Sequence, residues 1–203
     1  MKKNEMIKMI ADIEWVMFDK VTTFGGRASC QDEKQTFYIM RSSQLGAWSE
    51  ALLESYLEDL EQAKQAGRNP LSEKYGYMME RTSPAEFAGI REQLPSRTPE
   101  KDALIDKICE QQTDGQEQLA DRYPNLTGRG RSIRRTEDTP FNTSFETYMW
   151  GELATYSKKT IEIYADYVEE IRQAGKSIPE MVLLNTVKQY GFDSLDAAEE
   201  RMG

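Results

Sequence analysis

Helix start and stop signals recur along the whole chain, and they constrain the fold more than any other feature of the sequence. Between these signals, apolar residues repeat at three- and four-residue spacing, as Met6, Ile10 and Met17 do. Ser49 is typical of a helix N-cap, and Gly67 is typical of a helix end. No segment alternates apolar and polar residues as a half-buried strand does. The sequence therefore predicts an all-α protein, built as a multi-helix bundle.

The signals predict the bounds of the individual helices. These run from about Asn4 to Phe24, from Asp32 to a break at Gly46, from Ser49 to Gly67, from near Pro70, from Ser83 to about Gln93, from Thr98 to just before Pro124, from Thr143 to Ala174, from Ser177 to Gly191, and onward from Ser194. Asp32 and Gln35 have the spacing of a capping box, and so do Thr143 and Glu146. The segment 124–142 is rich in Gly and Arg and is predicted to be a loop.

The two halves of the chain partly match when the sequence is shifted by about 108 residues. Gln65-Ala66-Gly67 aligns with Gln173-Ala174-Gly175. Further matches are Phe37 with Phe145, Leu45 with Leu153, Ser49 with Ser157 and Tyr56 with Tyr164. The alternative is chance similarity between helices that share Glu, Ala and Leu. We favour an internal duplication, with related halves at about 1–95 and 96–203 of a single all-α domain.

Composition excludes several classes of function. The net charge of −9 argues against general binding to nucleic acid or to anionic membranes. No apolar run is long enough to cross a membrane. With only Cys30 and Cys109, a disulfide framework is not expected and a cytoplasmic location is favoured. Because the chain has no histidine, it lacks the commonest general base and metal ligand, and we expect neither a metal nor a cofactor.

The loop at 25–32 is the first candidate for a ligand site. Arg27 offers a guanidinium group, whose geometry suits carboxylates and phosphates. Cys30 lies close to the start of a predicted helix, where the helix dipole and neighbouring arginines stabilise a thiolate. The alternative is an inert, partly buried thiol, since no histidine is present to activate it.

Glu14 and Glu146 both fall within apolar helical stripes. A carboxylate in that position is paired, neutralised by a raised pKa, or exposed through a cleft. Either glutamate could therefore serve as an acid, a base or a polar anchor. The structural alternative for Glu14 is an ion pair with Arg41 or Arg27, and for Glu146 it is the capping box.

Arg129 and Arg131 belong to the dense basic segment of an otherwise acidic chain, which continues to Arg134 and Arg135. Neighbouring glycines let the backbone approach an anion closely. The alternative is that these arginines pair with the acidic surface of the protein itself, such as Glu137. The spacing does not match a phosphate-binding Walker loop.

Helix faces supply the remaining candidates. Arg41 and Gln44 share the second predicted helix, and Tyr148 follows the basic loop; we place all three in the wall of one cleft. Glutamates at helical spacing, such as Glu54 and Glu162, could hold Mg²⁺ between facing helices. Solvated helix faces explain these glutamates better, because they lie away from the apolar stripes.

Several motifs resemble a known family of bacterial proteins. They are Ile13-Glu14-Trp15, the segment 25–32, Leu52 to Leu57, Gly128-Arg129-Gly130-Arg131, Glu137 to Pro140, and Ser144 to Tyr148. The family they resemble is catalogued as domain of unknown function 4125. The resemblance extends over nearly the whole chain and implies a bacterial, cytoplasmic protein. It implies no activity, substrate or catalytic residue.

The leading functional hypothesis is the binding, with or without turnover, of a small anionic metabolite in a cleft between the two halves. Arg27 with Arg129 or Arg131 would clamp the anion, and Glu14 and Glu146 would act as anchors or as acid and base. The alternative is a non-catalytic helical module that docks a protein partner. The sequence leaves the oligomeric state open.

Overall fold

The computed structural model describes residues 1–22, 26–139 and 142–203. The helices in these ranges are α1 (Lys3–Phe18), α2 (Lys34–Gly46), α3 (Glu50–Gln65), α4 (Pro70–Thr82), α5 (Pro84–Ile90), α6 (Pro99–Arg122), α7 (Pro124–Thr127), α8 (Phe145–Ala154), α9 (Lys158–Gln173), α10 (Ile178–Gln189) and α11 (Leu195–Met202). No strand of a sheet forms within the described ranges, although an isolated bridge pairs Thr139 with Asn142. The prediction of an all-α fold is confirmed.

Most helix bounds follow the local signals in the sequence. The hydroxyl of Ser49 accepts the N–H of Leu52 at 3.2 Å and caps α3 as predicted. Gly67, just beyond the end of α3, has a φ of +68°, a left-handed conformation that favours glycine. Thr98 likewise caps α6, where its hydroxyl accepts the N–H of Lys101.

Two predictions about the first half of the chain are wrong. The helix α1 ends at Phe18, short of the predicted end at Phe24, which lies outside the described residues. The helix α2 begins at Lys34 with Glu33 in the N-cap position, so the predicted capping box does not form. The Asp32 carboxylate instead accepts the Nε–H of Arg27 at 2.9 Å.

The predicted long helix from Thr143 to Ala174 is also wrong, because it consists of two helices. The first, α8, begins after Ser144, whose hydroxyl accepts the N–H of Thr147. The chain then bends, and Ser157 caps the second helix, α9, by accepting the N–H of Thr160 at 3.2 Å. A new N-cap inside an apolar pattern can end one helix and start the next without a glycine or proline.

The core lies where α3 crosses α9. Its centre is aromatic: the Trp48 ring packs on Tyr56 and Tyr164, with centroids 5.5 and 5.4 Å away. Around this centre, α2 packs on α10 and α4 packs on α8, while α1 covers α2 and α3, and α6 covers α8 and α9. A smaller apolar cluster joins the end of α6 to α10 and α11. Among the described helices, none is long and apolar enough to span a membrane.

Candidate functional site

A pair of opposite charges is buried where α1 meets α2. The Glu14 side chain on α1 and the Arg41 guanidinium on α2 form a two-pronged ion pair, with Nε–Oε2 and Nη2–Oε1 distances of 2.7 and 2.5 Å. Glu14 is 1% exposed and Arg41 is 9% exposed. The structural alternative that the sequence offered for Glu14, a pair with Arg41, is therefore present.

The pair continues into the second half of the chain through Glu152 on α8. The Oε1 atom of Glu152 accepts hydrogen bonds from Arg41 Nη1 at 3.0 Å and from Gln44 Nε2 at 3.2 Å. Two tyrosine hydroxyls also donate hydrogen bonds to these carboxylates: Tyr56 to Glu14 at 2.7 Å, and Tyr156 to Glu152 at 2.9 Å. Four helices and the α8–α9 corner thus share one buried polar network.

The two charges of Arg41 and Glu152 support each other electrostatically. Burial alone would raise the pKa of Glu152, but Arg41 and Lys74 outweigh it and lower this pKa to about 2. Burial alone would lower the pKa of Arg41, but the carboxylates of Glu14 and Glu152 raise it well above its usual value. Both groups are therefore charged at neutral pH.

Lys74 on α4 connects this network to the edge of the protein. Its ammonium Nζ lies 3.7 Å from Glu152 Oε2 and donates a hydrogen bond to the Tyr148 hydroxyl at 2.7 Å. Lys74 is 4% exposed, so this cation has little access to water. Burial opposes its charge, but Tyr148 and Glu152 raise the pKa of Lys74 above its ordinary value.

Tyr148 lies between two cations. Lys74 donates to its hydroxyl, and the Arg131 guanidinium carbon lies 4.6 Å from its ring centroid, within cation–π range. Lys74 lowers the pKa of the Tyr148 hydroxyl, against the effect of burial. A phenol whose pKa is lowered by a neighbouring ammonium is suited to general acid–base chemistry.

The loop of residues 26–32 borders the same region. Burial, followed by Tyr148, raises the pKa of Tyr75 to about 12, and the exposed Cys30 makes a smaller contribution in the same direction. The buried Gln31 side chain holds the loop in place, since its amide donates to the carbonyls of Phe18 and Val21 at 2.8 and 2.9 Å.

Arg27 uses most of its hydrogen-bond donors on this loop and on the adjoining end of α1. Its guanidinium donates to the carboxylates of Asp19 and Asp32 at 2.7 and 2.9 Å and to the Gln31 carbonyl at 2.8 Å. These bonds fix the loop against the end of α1. They leave Arg27 with fewer donors for a ligand than its sequence position suggested.

The arginines of the second loop divide into two groups. Arg134 and Arg135 pair with the acidic side chains of the protein itself: Arg134 with Glu117 and Asp114, and Arg135 with Glu146. Glu146 also accepts the backbone N–H of Arg135 at 3.0 Å, so it anchors the loop rather than forming a capping box.

Arg129 and Arg131 are exposed, and neither forms an ion pair with a described residue. Arg131 donates one hydrogen bond, from Nη1 to the Thr143 carbonyl at 3.1 Å. Its remaining N–H groups make no hydrogen bond to the part of the chain that the structure describes. Arg131 therefore has guanidinium donors available beside Tyr148.

The structure thus brings together two subsets of the predicted residues. Glu14, Arg41 and Gln44 share the buried network, and Arg131 meets Tyr148 at its edge. Sequence analysis missed Lys74 and Glu152, which join the two subsets. The available signal was weak: each is a charged residue next to apolar positions of its helix, and Glu152 aligns with Gln44 in the proposed repeat.

Two cavities accompany this network. One, of about 280 Å³, lies between the rings of Tyr56 and Tyr156 and the start of α6. The other, of about 590 Å³, is an open groove along α1, α2 and α10. Neither lining includes Glu14, Cys30 or Arg41. Within the described ranges, no group of three or more Cys, Asp or Glu side chains is arranged to hold a metal ion.

Comparison with known proteins identifies a family. No curated protein and no solved structure matches the chain. One family matches residues 4–200, and its description reads "Protein of unknown function (DUF4125)". Because this match spans nearly all of the chain, the protein belongs to that family of unknown function.

Proposed function

We propose that this chain, which we expect in a bacterial cytoplasm, binds a small anionic metabolite at the junction between its two helical halves. The site would lie at the Tyr148 hydroxyl, with the cations Lys74 and Arg131 on either side. The observation that carries this proposal is the Arg131 guanidinium, which stacks on Tyr148 at 4.6 Å without any described carboxylate partner. Arg131 contacts the same ring as the buried Lys74 ammonium, in a chain that is acidic overall. A bound anion would give these two cations a partner.

The donors available at this site support a carboxylate or a phosphate. A guanidinium group has five N–H donors, and Arg131 uses one of them within the described chain. The Lys74 ammonium has three, of which one is donated to Tyr148. Forked guanidinium donors next to a point charge match the oxygens of either anion, and such charge-assisted bonds are among the strongest available.

The other predicted residues take supporting roles in this proposal. Glu14, Arg41 and Gln44 would fix the position of Glu152, and through it the Lys74 ammonium. Arg129, which is exposed, would supply a second guanidinium from the same loop as Arg131. Cys30 would line the wall, while Arg27 and Glu146 would hold the two loops in position.

Turnover of the bound anion is a further part of the proposal, with Tyr148 as the general acid or base. Lys74 stabilises the phenolate form, and this lowers the barrier to proton transfer from the hydroxyl. The roles proposed at sequence level for Glu14 and Cys30 as catalytic groups have less support. Glu14 is fully engaged with Arg41 and Tyr56, and Cys30 has no histidine to activate it.

Calorimetric titration with phosphate, citrate and small dicarboxylates tests the binding proposal. We expect saturable binding to the wild type and at least a tenfold loss of affinity in Arg131→Gln, since a charge-assisted bond contributes roughly 1.5–3 kcal/mol. Arg172→Gln is the matched control, because Arg172 is exposed and Glu169, on the same helix, is its one ion-pair partner among the described residues. Equal affinities for both variants, or no binding of any anion by the wild type, would refute the proposal.

The alternative function, a helical interaction module, is favoured by one observation. Val16 on α1 and Met40 on α2 are 53% and 51% exposed, next to the half-buried rings of Trp15 and Phe37. A second copy of the chain, or another protein, could cover this face. If no anion binds and Met40→Lys converts a self-associated chain to monomers in light scattering, the module is the better interpretation.

We also propose that the two halves are related by internal duplication. In support, α3 and α9 each follow a serine cap and each precede a glycine with a φ of +68°. The contacts correspond as well: α2 packs on α10 of the other half, and α8 packs on α4. Lys3 donates to the Gly46 carbonyl at 2.9 Å, and Lys101 donates to the equivalent Ala154 carbonyl at 2.8 Å.

A further inference from the structure

The 280 Å³ cavity is a second place where charged groups converge, and it is separate from the Tyr148 site. Its walls come from α3, the starts of α4 and α6, and the corner between α8 and α9. The rings of Tyr56 and Tyr156 line it, while their hydroxyls donate to Glu14 and Glu152 in the buried network. The two tyrosines therefore divide the network from the cavity.

Lys101, at the start of α6, lines this cavity, and no carboxylate of the described residues pairs with its amine. Its Nζ donates to the Ala154 carbonyl at 2.8 Å, and it forms no ion pair with any described residue. A partly buried ammonium without an anion is destabilised relative to the neutral amine. One N–H of the neutral amine can keep the bond to Ala154, which leaves the nitrogen lone pair free for the cavity.

The charged groups around Lys101 reinforce this effect. Arg97, Arg68 and Lys158 line the cavity with it, against the carboxylates of Asp59 in the wall and Asp102 on α6. Burial, followed by the repulsion from Arg97, lowers the pKa of Lys101 to about 8. At pH 7, roughly 10% of such an amine is unprotonated, against roughly 0.03% of an ordinary lysine.

Two guanidinium groups beside Lys101 are held rigidly. Arg97 is fixed by Asp102 and Glu80 at 2.8 and 2.7 Å. Arg68 donates its Nε and Nη2 hydrogens to Glu73, and its Nη1 donates to no acceptor in the described chain. A carboxylate inside the cavity would meet a preorganised, forked donor at Arg68.

We propose that Lys101 is a nucleophilic amine that forms a Schiff base with a small oxo acid, whose carboxylate is bound by Arg68 and Arg97. The nitrogen lone pair attacks the carbonyl carbon, and the carbonyl π electrons move to the oxygen, which takes a proton from water. The nitrogen then loses a proton to give a neutral carbinolamine. The nitrogen lone pair then expels hydroxide and forms the C=N bond; the hydroxide takes the remaining N–H proton of this iminium and leaves as water, so amine and oxo acid give a Schiff base and one water without any oxidant or reductant.

Reductive trapping tests this proposal independently of the Tyr148 site. The folded protein is incubated with pyruvate or glyoxylate and cyanoborohydride, and peptide mass spectrometry locates the secondary amine that results. We expect Lys101 to be labelled at least roughly tenfold faster than Lys159 at pH 7, because a far larger fraction of its amine is unprotonated. Lys3 is the second internal control and should also be labelled more slowly than Lys101: burial lowers its pKa too, and it donates to the backbone carbonyls of Gly46 and Trp48, but it does not line this cavity.

Two variants and one probe separate the parts of the proposal. Arg68→Gln should slow labelling by pyruvate without slowing labelling by propanal, a neutral aldehyde of similar size. Lys101→Arg should abolish the fast phase, and its circular dichroism and melting temperature show whether it folds. Labelling of Lys101 no faster than of Lys159, or equal sensitivity of pyruvate and propanal to Arg68→Gln, would overturn the proposal. Either result leaves anion binding at Tyr148 unaffected, since Arg131 takes no part in this assay.

Discussion

Replacing Arg41 by leucine removes the central cation of the buried network. Arg41 donates to Glu14 through two bonds and to Glu152 through a third, and its Nη1 also reaches Gln44 at 2.6 Å. The leucine side chain fills part of the space but leaves two buried carboxylates without their shared partner. The structure therefore predicts a large loss of stability from this single substitution.

The size of the loss follows from the burial of the groups involved. Breaking a buried ion pair by removing one partner costs about 3–5 kcal/mol. For a chain of 203 residues, each kcal/mol lowers the melting temperature by roughly 2–4 °C. We expect Arg41→Leu to unfold about 6–20 °C below the wild type. Urea titration followed by circular dichroism gives the same loss as a free energy of unfolding.

The pH dependence distinguishes this electrostatic cause from a simple packing defect. In the wild type, the pKa of Glu152 is lowered to about 2 in the folded state, so its stabilising contribution is present above its ordinary value of 4.5. That contribution is lost as the pH falls from 4.5 toward 2. In the variant, Glu152 has lost Arg41, the largest of the charges that lower its pKa, so acid neutralises it at a higher pH than in the wild type. The stability difference between the two proteins should therefore shrink as the pH is lowered from 7 to 3.

Two further variants control the interpretation. Arg172→Leu removes an exposed arginine from a pair with Glu169 and should leave the stability close to that of the wild type, because water and salt screen an exposed ion pair. The double variant Arg41→Leu with Glu14→Leu should be more stable than Arg41→Leu alone, because one uncompensated carboxylate is gone and Lys74 still faces Glu152. A loss below 1 kcal/mol in Arg41→Leu, or a stability difference independent of pH, would refute the reasoning.

Three other predictions concern single positions. In a thiol-reagent assay, Cys30 should react in the folded protein while Cys109 reacts only on unfolding, since burial raises the pKa of the Cys109 thiol and blocks access; equal reaction rates would contradict the structure. Gly151→Ala should destabilise the protein by about 1–3 kcal/mol in urea, because a Cβ would lie 2.5 Å from Met78 Cγ, and this outweighs the helix propensity of alanine. Ser157→Ala should cost about 1 kcal/mol by removing the cap of α9, which thermal melting can detect.

Much of the fold could be predicted from the sequence because its signals are local. Ser49, Gly67 and Thr98 each act within one helical turn, and each marks a helix bound as predicted. The errors arise where several local signals compete. Near Ser157, the apolar stripe continues across the break between two helices, so the N-cap there was not recognised. At the start of α8, the capping-box spacing favoured Thr143, but Ser144 is the N-cap.

The site was predictable only in part, because its contacts join residues far apart in the chain. Glu14 was identified as a carboxylate in an apolar stripe, and a charge in that position needs a partner. The same argument suggested Arg41 as one of two possible partners. Glu152 and Lys74 were not identified, since neither lies on a clear apolar stripe of the sequence and only the packing of α4 on α8 shows that they are enclosed.

Lys74 contacts both the buried network and the proposed anion site, and this makes it possible to separate stability from binding. Its ammonium lies 3.7 Å from Glu152 and 2.7 Å from the Tyr148 hydroxyl. Lys74→Met should therefore lower both the free energy of unfolding and the affinity for an anion, while Arg131→Gln should lower the affinity alone, because Arg131 is exposed. Urea titration and calorimetry on the two variants measure the two quantities. If Lys74→Met loses stability but binds anions as the wild type does, the network is structural and the anion site lies elsewhere.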